Sequence, residues 1–113
     1  ISHGLSNSLV LPYVLRFNSV DVKAAKNYAE LAPYVFPKLD INKGTQAVCA
    51  EFIDKLEDLS KRLGLPQKLR EVDIPKDACE KMASDAMKQT RLLVNNPREV
   101  TEVDALNIYQ SAW

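Results

Sequence analysis

Apolar residues recur along this chain at helical spacing in five stretches, separated by polar breaks that carry proline or glycine. The first stretch, Ile1 to Asn18, is nearly uncharged, with Arg16 the single charge between Ile1 and Val20. A helix apolar on most of its sides is one that other elements surround. The pattern therefore predicts a buried first helix at the centre of the domain. A kink is expected at Pro12, which lacks a backbone donor and frees the Ser8 carbonyl. Ser19 and Asp21 offer N-caps to a second helix with the stripe Val22, Ala25, Ala29 and Ala32 and with Tyr28 beside it; Lys23, Lys26, Asn27 and Glu30 face outward. Pro33 is a candidate break, and 37–44 reads as a loop.

The third stretch is the most regular. From Thr45 to Leu63, one face is lined by Val48, Cys49, Phe52, Ile53, Leu56, Leu59 and Leu63. The other face sets Glu51–Lys55, Glu57–Lys61 and Asp58–Arg62, each an acid four residues before a base. Gly64 supplies a left-handed cap and Pro66 forbids continuation. A connector over 65–73 leaves room for one turn at 67–71. Pro75 then suits the first position of a fourth helix, with Asp77 in its first turn and Cys79, Met82, Ala83, Ala86 and Thr90 on its buried side. That helix should end within 91–95, before the turn signal Asn95-Asn96-Pro97-Arg98. Thr101 and Asp104 form a capping pair for a last helix through Ala105, Leu106, Tyr109 and Trp113. With three glycines and no strand-like alternation, the chain is an all-α bundle of about five helices, one domain over 1–113.

Composition narrows the partners. Fifteen basic residues balance fifteen acidic ones, so charge favours neither nucleic acid nor an anionic membrane. The longest apolar run, Leu9 to Leu15, is too short to cross a bilayer and is broken by Pro12. Cys49 and Cys79 lie far apart on apolar stripes, which predicts two buried free thiols in a cytoplasmic protein rather than a disulfide framework. The chain opens with no initiator Met and no targeting signal, and a buried helix begins at once. It reads as a piece of something longer.

The residues alone offer little chemistry. His3 is the only histidine, and a metal site needs three or four ligands that no other histidine or spaced cysteine pair supplies. Beside Gly4, its ordinary reading is an exposed or hydrogen-bonded side chain. Neither cysteine has a histidine nearby to activate it. Tyr13, Tyr28, Tyr34 and Tyr109 suit the edge of a core, each with its hydroxyl reaching a partner. Three glycines cannot build a phosphate loop.

Taken together, His3-Gly4, Asn7, Leu11-Pro12, Val14, Arg16-Phe17-Asn18, Tyr28 to Ala32, Gly64-Leu65-Pro66, Leu69, Asn96-Pro97-Arg98, Ile108-Tyr109 and Ala112-Trp113 resemble the C-terminal helical part of the iron-containing alcohol dehydrogenases, which share a dehydroquinate-synthase-like helical domain. The order matches from end to end. Within the family the chain is most similar to the NAD-linked short-chain alcohol, diol and lactaldehyde type. The resemblance implies an N-terminal dinucleotide-binding domain elsewhere in the protein and an active site in the cleft between the two. It implies a divalent metal, Fe2+ or in some members zinc, held by one Asp and three His. The last of these histidines belongs to the His-Gly pair and is His3 here. The metal would polarise the alcohol oxygen while hydride passes to NAD(P). The residues just before Asn-Pro-Arg look like the stretch that approaches the substrate cleft in the family, which implies a pocket role for Leu92; the alternative is ordinary packing at a helix end.

Two functions are therefore weighed: the metal-side part of an alcohol dehydrogenase acting on a small alcohol or aldehyde, and a stand-alone helical interaction module. On the first, the protein is a homo-oligomer completed by an N-terminal part. The 113-residue chain by itself is expected to hold no cofactor, to be inactive, and to self-associate through its uncovered first helix or be only marginally stable.

Overall fold

The computed structural model describes residues 3–88 and 96–113, with side chains from Leu9 onward within them. Five α-helices follow one another: α1 (His3–Asn18), α2 (Val22–Val35), α3 (Thr45–Arg62), α4 (Ala78–Ala86) and α5 (Glu102–Ala112). A 3-10 turn at Leu69–Val72 joins α3 to α4. The described residues include no strand. α2 packs on α3 and α4 on α5, and α1 lies between the two pairs, against α3 and α5. The molecule measures 42 × 31 × 19 Å, and its short dimension is about two helix diameters.

This thin shape corrects the expectation of a fully surrounded first helix. α1 is flanked rather than ringed. Leu9 and Val10 are buried, but Leu11 between them and Pro12 is 48% exposed. Among the described residues, apolar contacts form three clusters. Leu9, Val10, Leu69, Cys79 and Ala112 join α1 to α4, α5 and the 3-10 turn. Ala32, Leu39, Val48 and Phe52 join α2 to α3. Ala25, Cys49 and Ile53, with Leu15 against them, tie that pair to α1.

Neither internal proline ends its helix. α1 runs through Pro12, and α2 continues past Pro33 to Val35. Pro33 stands in the last turn of α2, where only one bond is lost, and the pattern persists to the cap, Phe36 N–H bonding the Ala32 carbonyl at 2.8 Å. α3 matches its prediction. Gly64 adopts φ 77°, while Leu65 N–H reaches the Ser60 carbonyl and Gly64 N–H the Lys61 carbonyl, both at 3.1 Å, a complete Schellman stop. Its stripe is buried only over Val48, Cys49, Phe52 and Ile53; Leu59 and Leu63 are 43% and 68% exposed. α3 has 18 residues against 14 in α2, so its last turn outruns its partner.

Of the three ion pairs expected along α3, Asp58–Arg62 forms at 2.9 Å. Glu51 pairs instead with Lys43, and Glu57 with Arg16 at 2.6 Å, while Asp54 also meets Arg16 at 2.9 Å. For Glu57, an arginine on a neighbouring helix outcompetes a solvated lysine one turn away, which would have to give up its rotamers, while Lys43 reaches Glu51 from the loop just before α3. α4 also starts later than expected. Ala78 N–H bonds Pro75 and Cys79 N–H bonds Lys76, so a tight turn occupies 75–77 and Asp77 precedes the helix. Thr90 and the end expected within 91–95 lie outside the described residues.

α5 opens with the predicted capping box. Asp104 N–H donates to Thr101 Oγ1 at 3.1 Å, and Thr101 N–H donates to Asp104 Oδ2 at 3.0 Å. That backbone bond, with the Thr101 side chain behind it, holds the Asp104 carboxyl below its usual range. A lowered folded value gives stabilisation that is full above the ordinary aspartate pKa of about 3.9 and is lost as pH falls through the folded value. Wild type should therefore be more stable than Asp104→Asn at neutral pH, and denaturant unfolding should show the gap closing in acid. Thr101→Ala should cost about 1 kcal/mol at neutral pH.

Candidate functional site

His3 is the first residue of α1, and its side chain lies outside the described residues, as does the whole of Leu92. The structure does describe how the helix carrying His3 is held. Midway along it, Leu9 and Val10 pack on Leu69, Cys79 and Ala112. One turn on, the Tyr13 hydroxyl donates to the Gln67 carbonyl at 3.4 Å. The Lys68 ammonium sits 5.1 Å over the Tyr13 ring and donates to the Ser111 carbonyl at 3.0 Å, near the negative end of α5.

The far end of α1 is held by directional bonds. A helix leaves its last four carbonyls without partners inside it. Here each has one. Ser19 N–H bonds Leu15 at 2.9 Å, the Ser19 hydroxyl bonds Arg16 at 2.7 Å, and Asp21 N–H bonds Asn18 at 2.9 Å. The fourth donor comes from 81 residues away: Arg98 Nη1 donates to the Phe17 carbonyl at 2.9 Å, and its guanidinium stacks 4.0 Å from the Phe17 ring centroid. A cation is also what the negative end of a helix favours.

Beside this cap, Asn18 and Asn96 exchange amide bonds, Asn18 Nδ2 to Asn96 Oδ1 at 2.9 Å and Asn96 Nδ2 to Asn18 Oδ1 at 2.8 Å. Asn18 is 2% exposed, and its other N–H donates to the Tyr28 hydroxyl at 3.2 Å. Asn96 Nδ2 also bonds the Arg98 carbonyl at 2.6 Å, closing the turn. Sequence reasoning missed this network. Its only signal was an Asn at a helix end and an Asn-Pro-Arg turn, neither of which names the other.

The remaining candidates are structural. Cys49 and Cys79 are free and buried. Burial pushes both thiols up, away from the reactive thiolate. Burial likewise pushes up the Tyr109 hydroxyl. Tyr34 stands 85% exposed rather than at a core edge. The described residues contain no group of three or more His, Cys, Asp or Glu that could hold a metal ion. No described helix is long and apolar enough to cross a membrane.

The fold is thus an all-helical domain whose first helix is clamped at one end and carries the chain's only imidazole at the other. Residues 1–113 match the model of the Fe-containing alcohol dehydrogenase family, C-terminal, and the chain belongs to that family. It is 32% identical to long-chain-alcohol dehydrogenase 1 of Geobacillus thermodenitrificans, covering 100% of this chain and 28% of that protein. It is 30% identical to lactaldehyde reductase of Escherichia coli K12, covering 98% and 28%. A crystal structure of 1,3-propanediol oxidoreductase superposes with a TM-score of 0.88 at 26% identity, over 100% of this chain and 28% of that one. The chain therefore spans about 28% of the length of these relatives.

Proposed function

We propose that this chain is the metal-side helical part of a cytoplasmic, homo-oligomeric alcohol dehydrogenase that interconverts small alcohols and their aldehydes or ketones with NAD(P). The observation that carries the reading is the family match over every residue, which runs from the His-Gly pair through Asn-Pro-Arg to the C-terminal tryptophan. The names of the relatives favour aliphatic alcohols, short diols and lactaldehyde as substrates.

The donor set fits one contribution to a metal site. His3 is the single imidazole, and it begins a helix whose body is packed and whose far end is capped. On this reading, which follows the family, the remaining ligands and the dinucleotide site are supplied by other parts of the full-length protein. When bound, Fe2+ or zinc supplies Lewis-acid polarisation of the substrate oxygen. On this reading the chain's own work is to carry His3 on a helix fixed at its far end. The resemblance to the family assigns Leu92, an apolar residue four before Asn96, to the substrate pocket. One methylene in such a pocket is worth about 1–3 kcal/mol, so Leu92→Ala should widen the accepted chain length.

The test is a steady-state assay of the full-length protein loaded with Fe2+ or Zn2+, run on alcohols and diols with NAD+ and NADP+. Metal-dependent nicotinamide reduction with a small alcohol is the expected result. Tight folding with no turnover on any alcohol would favour the interaction-module reading. An unchanged substrate profile in Leu92→Ala would remove that residue from the pocket.

A further inference from the structure

We infer that Asn96 and Arg98 are positioning residues for His3: bonded to the last turn of α1, they set the axial and rotational register of the helix that carries His3 at its other end. The inference rests on His3 being a metal ligand as proposed above.

α1 is one continuous helix of 16 residues that runs through Pro12, so His3 and Asn18 are separated by roughly 22 Å at about 1.5 Å per residue. Two kinds of contact hold the rod. The apolar ones, through Leu9, Val10 and Leu15, are non-directional and tolerate small slips. The polar ones are not. Two reciprocal amide bonds at 2.9 and 2.8 Å, a guanidinium bond at 2.9 Å to Phe17 and the stack on its ring all lapse if the helix slides or turns. A slip of α1 along its axis would carry His3 with it, and metal–ligand distances tolerate only about 0.2 Å.

The placement of the network supports a positioning role over generic stability. It ties α1 to a segment 78 to 81 residues downstream, and it does so through a buried amide rather than an apolar contact. Asn18 at 2% exposure would be costly as an unpaired group, so the lock holds only in the one register that pairs it with Asn96. A leucine at either position would pack without selecting a register.

The experiment uses the full-length enzyme and measures affinity for Zn2+ by chelator competition, together with the absorption spectrum of the Co2+-substituted protein. Variants are Asn96→Ala, Arg98→Met, Arg98→Lys and His3→Ala. Phe52→Leu, in the α2–α3 cluster and itself making none of the lock's bonds, serves as a destabilised control. The expected result is metal binding about 10–100-fold weaker in Asn96→Ala and Arg98→Met, with an altered cobalt spectrum. Arg98→Lys, which keeps a cationic donor for Phe17, should recover much of the loss. Phe52→Leu should bind metal as wild type does, however far its melting temperature falls. If His3→Ala loses the metal while Asn96→Ala and Arg98→Met keep wild-type affinity and spectrum, the positioning role is overturned and the metal reading stands. If His3→Ala keeps its metal, both are overturned. Weakening of Phe52→Leu in proportion to its stability would reduce the lock to ordinary structural support and overturn the inference.

Discussion

With His3 as the proposed metal ligand, replacing it by alanine in the full-length protein should give a folded protein that has lost its metal and, with it, its activity. The cluster that seats α1 is built at Leu9, Val10, Tyr13 and Val14, so shortening the side chain at position 3 leaves those contacts in place. The C-terminal cap by Ser19, Arg98 and Asp21 is likewise untouched. Chemistry is affected far more than folding. A bound metal supplies several kcal/mol of stabilisation to developing charge, so losing it should lower kcat at least about a hundredfold. Metal analysis and thermal unfolding on one purified sample separate the two possible roles. A structural histidine would leave the metal bound, and any loss of activity would follow the melting temperature. Full metal occupancy in His3→Ala would remove the residue from the ligand set.

The parts of the fold legible in the sequence are those fixed by neighbours in the chain. Thr101 and Asp104 cap α5 because they lie three residues apart, and Gly64 stops α3 because only the adjacent backbone has to turn. Pro33 and Pro75 misled for a related reason. Each permits more than one local outcome, and packing of Ala32 in one case and the tight turn before Cys79 in the other made the choice. Glu57 shows the limit for charges: its partner four residues away, Lys61, was visible, but Arg16 on α1 was not. The lock was illegible as a lock. Asn18 and Asn96 are 78 residues apart, and nothing about a polar residue at a helix end announces that it will be buried. His3 differs again, because one imidazole without its co-ligands defines no metal site; only the resemblance across the whole chain assigned it that role.

The largest loss of stability should come from Leu69→Ala. A body only 19 Å thick buries few large side chains completely, and Leu69, at 0% exposure, and Ile53, at 1%, are the largest of them. Leu69 sits in the 3-10 turn where α1, α4 and α5 converge, touching the cluster of Leu9, Val10, Cys79 and Ala112. Truncating a buried leucine removes its transfer free energy and leaves a cavity whose cost depends on how far the surroundings collapse. Collapse is hindered here because the turn is pinned on both sides. On one side Glu71 Oε2 accepts from the Gln67 and Lys68 N–H groups at 2.5 and 2.6 Å. On the other, Asp73 takes a left-handed φ of 64°, and the Trp113 indole N–H donates to the Ile74 carbonyl at 2.8 Å. The cost should therefore fall in the upper part of the usual range, about 3–5 kcal/mol. Against a total stability of about 5–15 kcal/mol, that is enough to leave much of the population unfolded on mild heating. Leu69→Met, which keeps the volume, should lose less than about 1.5 kcal/mol. Denaturant midpoints for the two variants beside wild type decide the matter. A loss under about 1 kcal/mol for the alanine variant would mean that the turn does close over the cavity, and that its pins at Glu71 and Trp113 are weaker than their geometry implies.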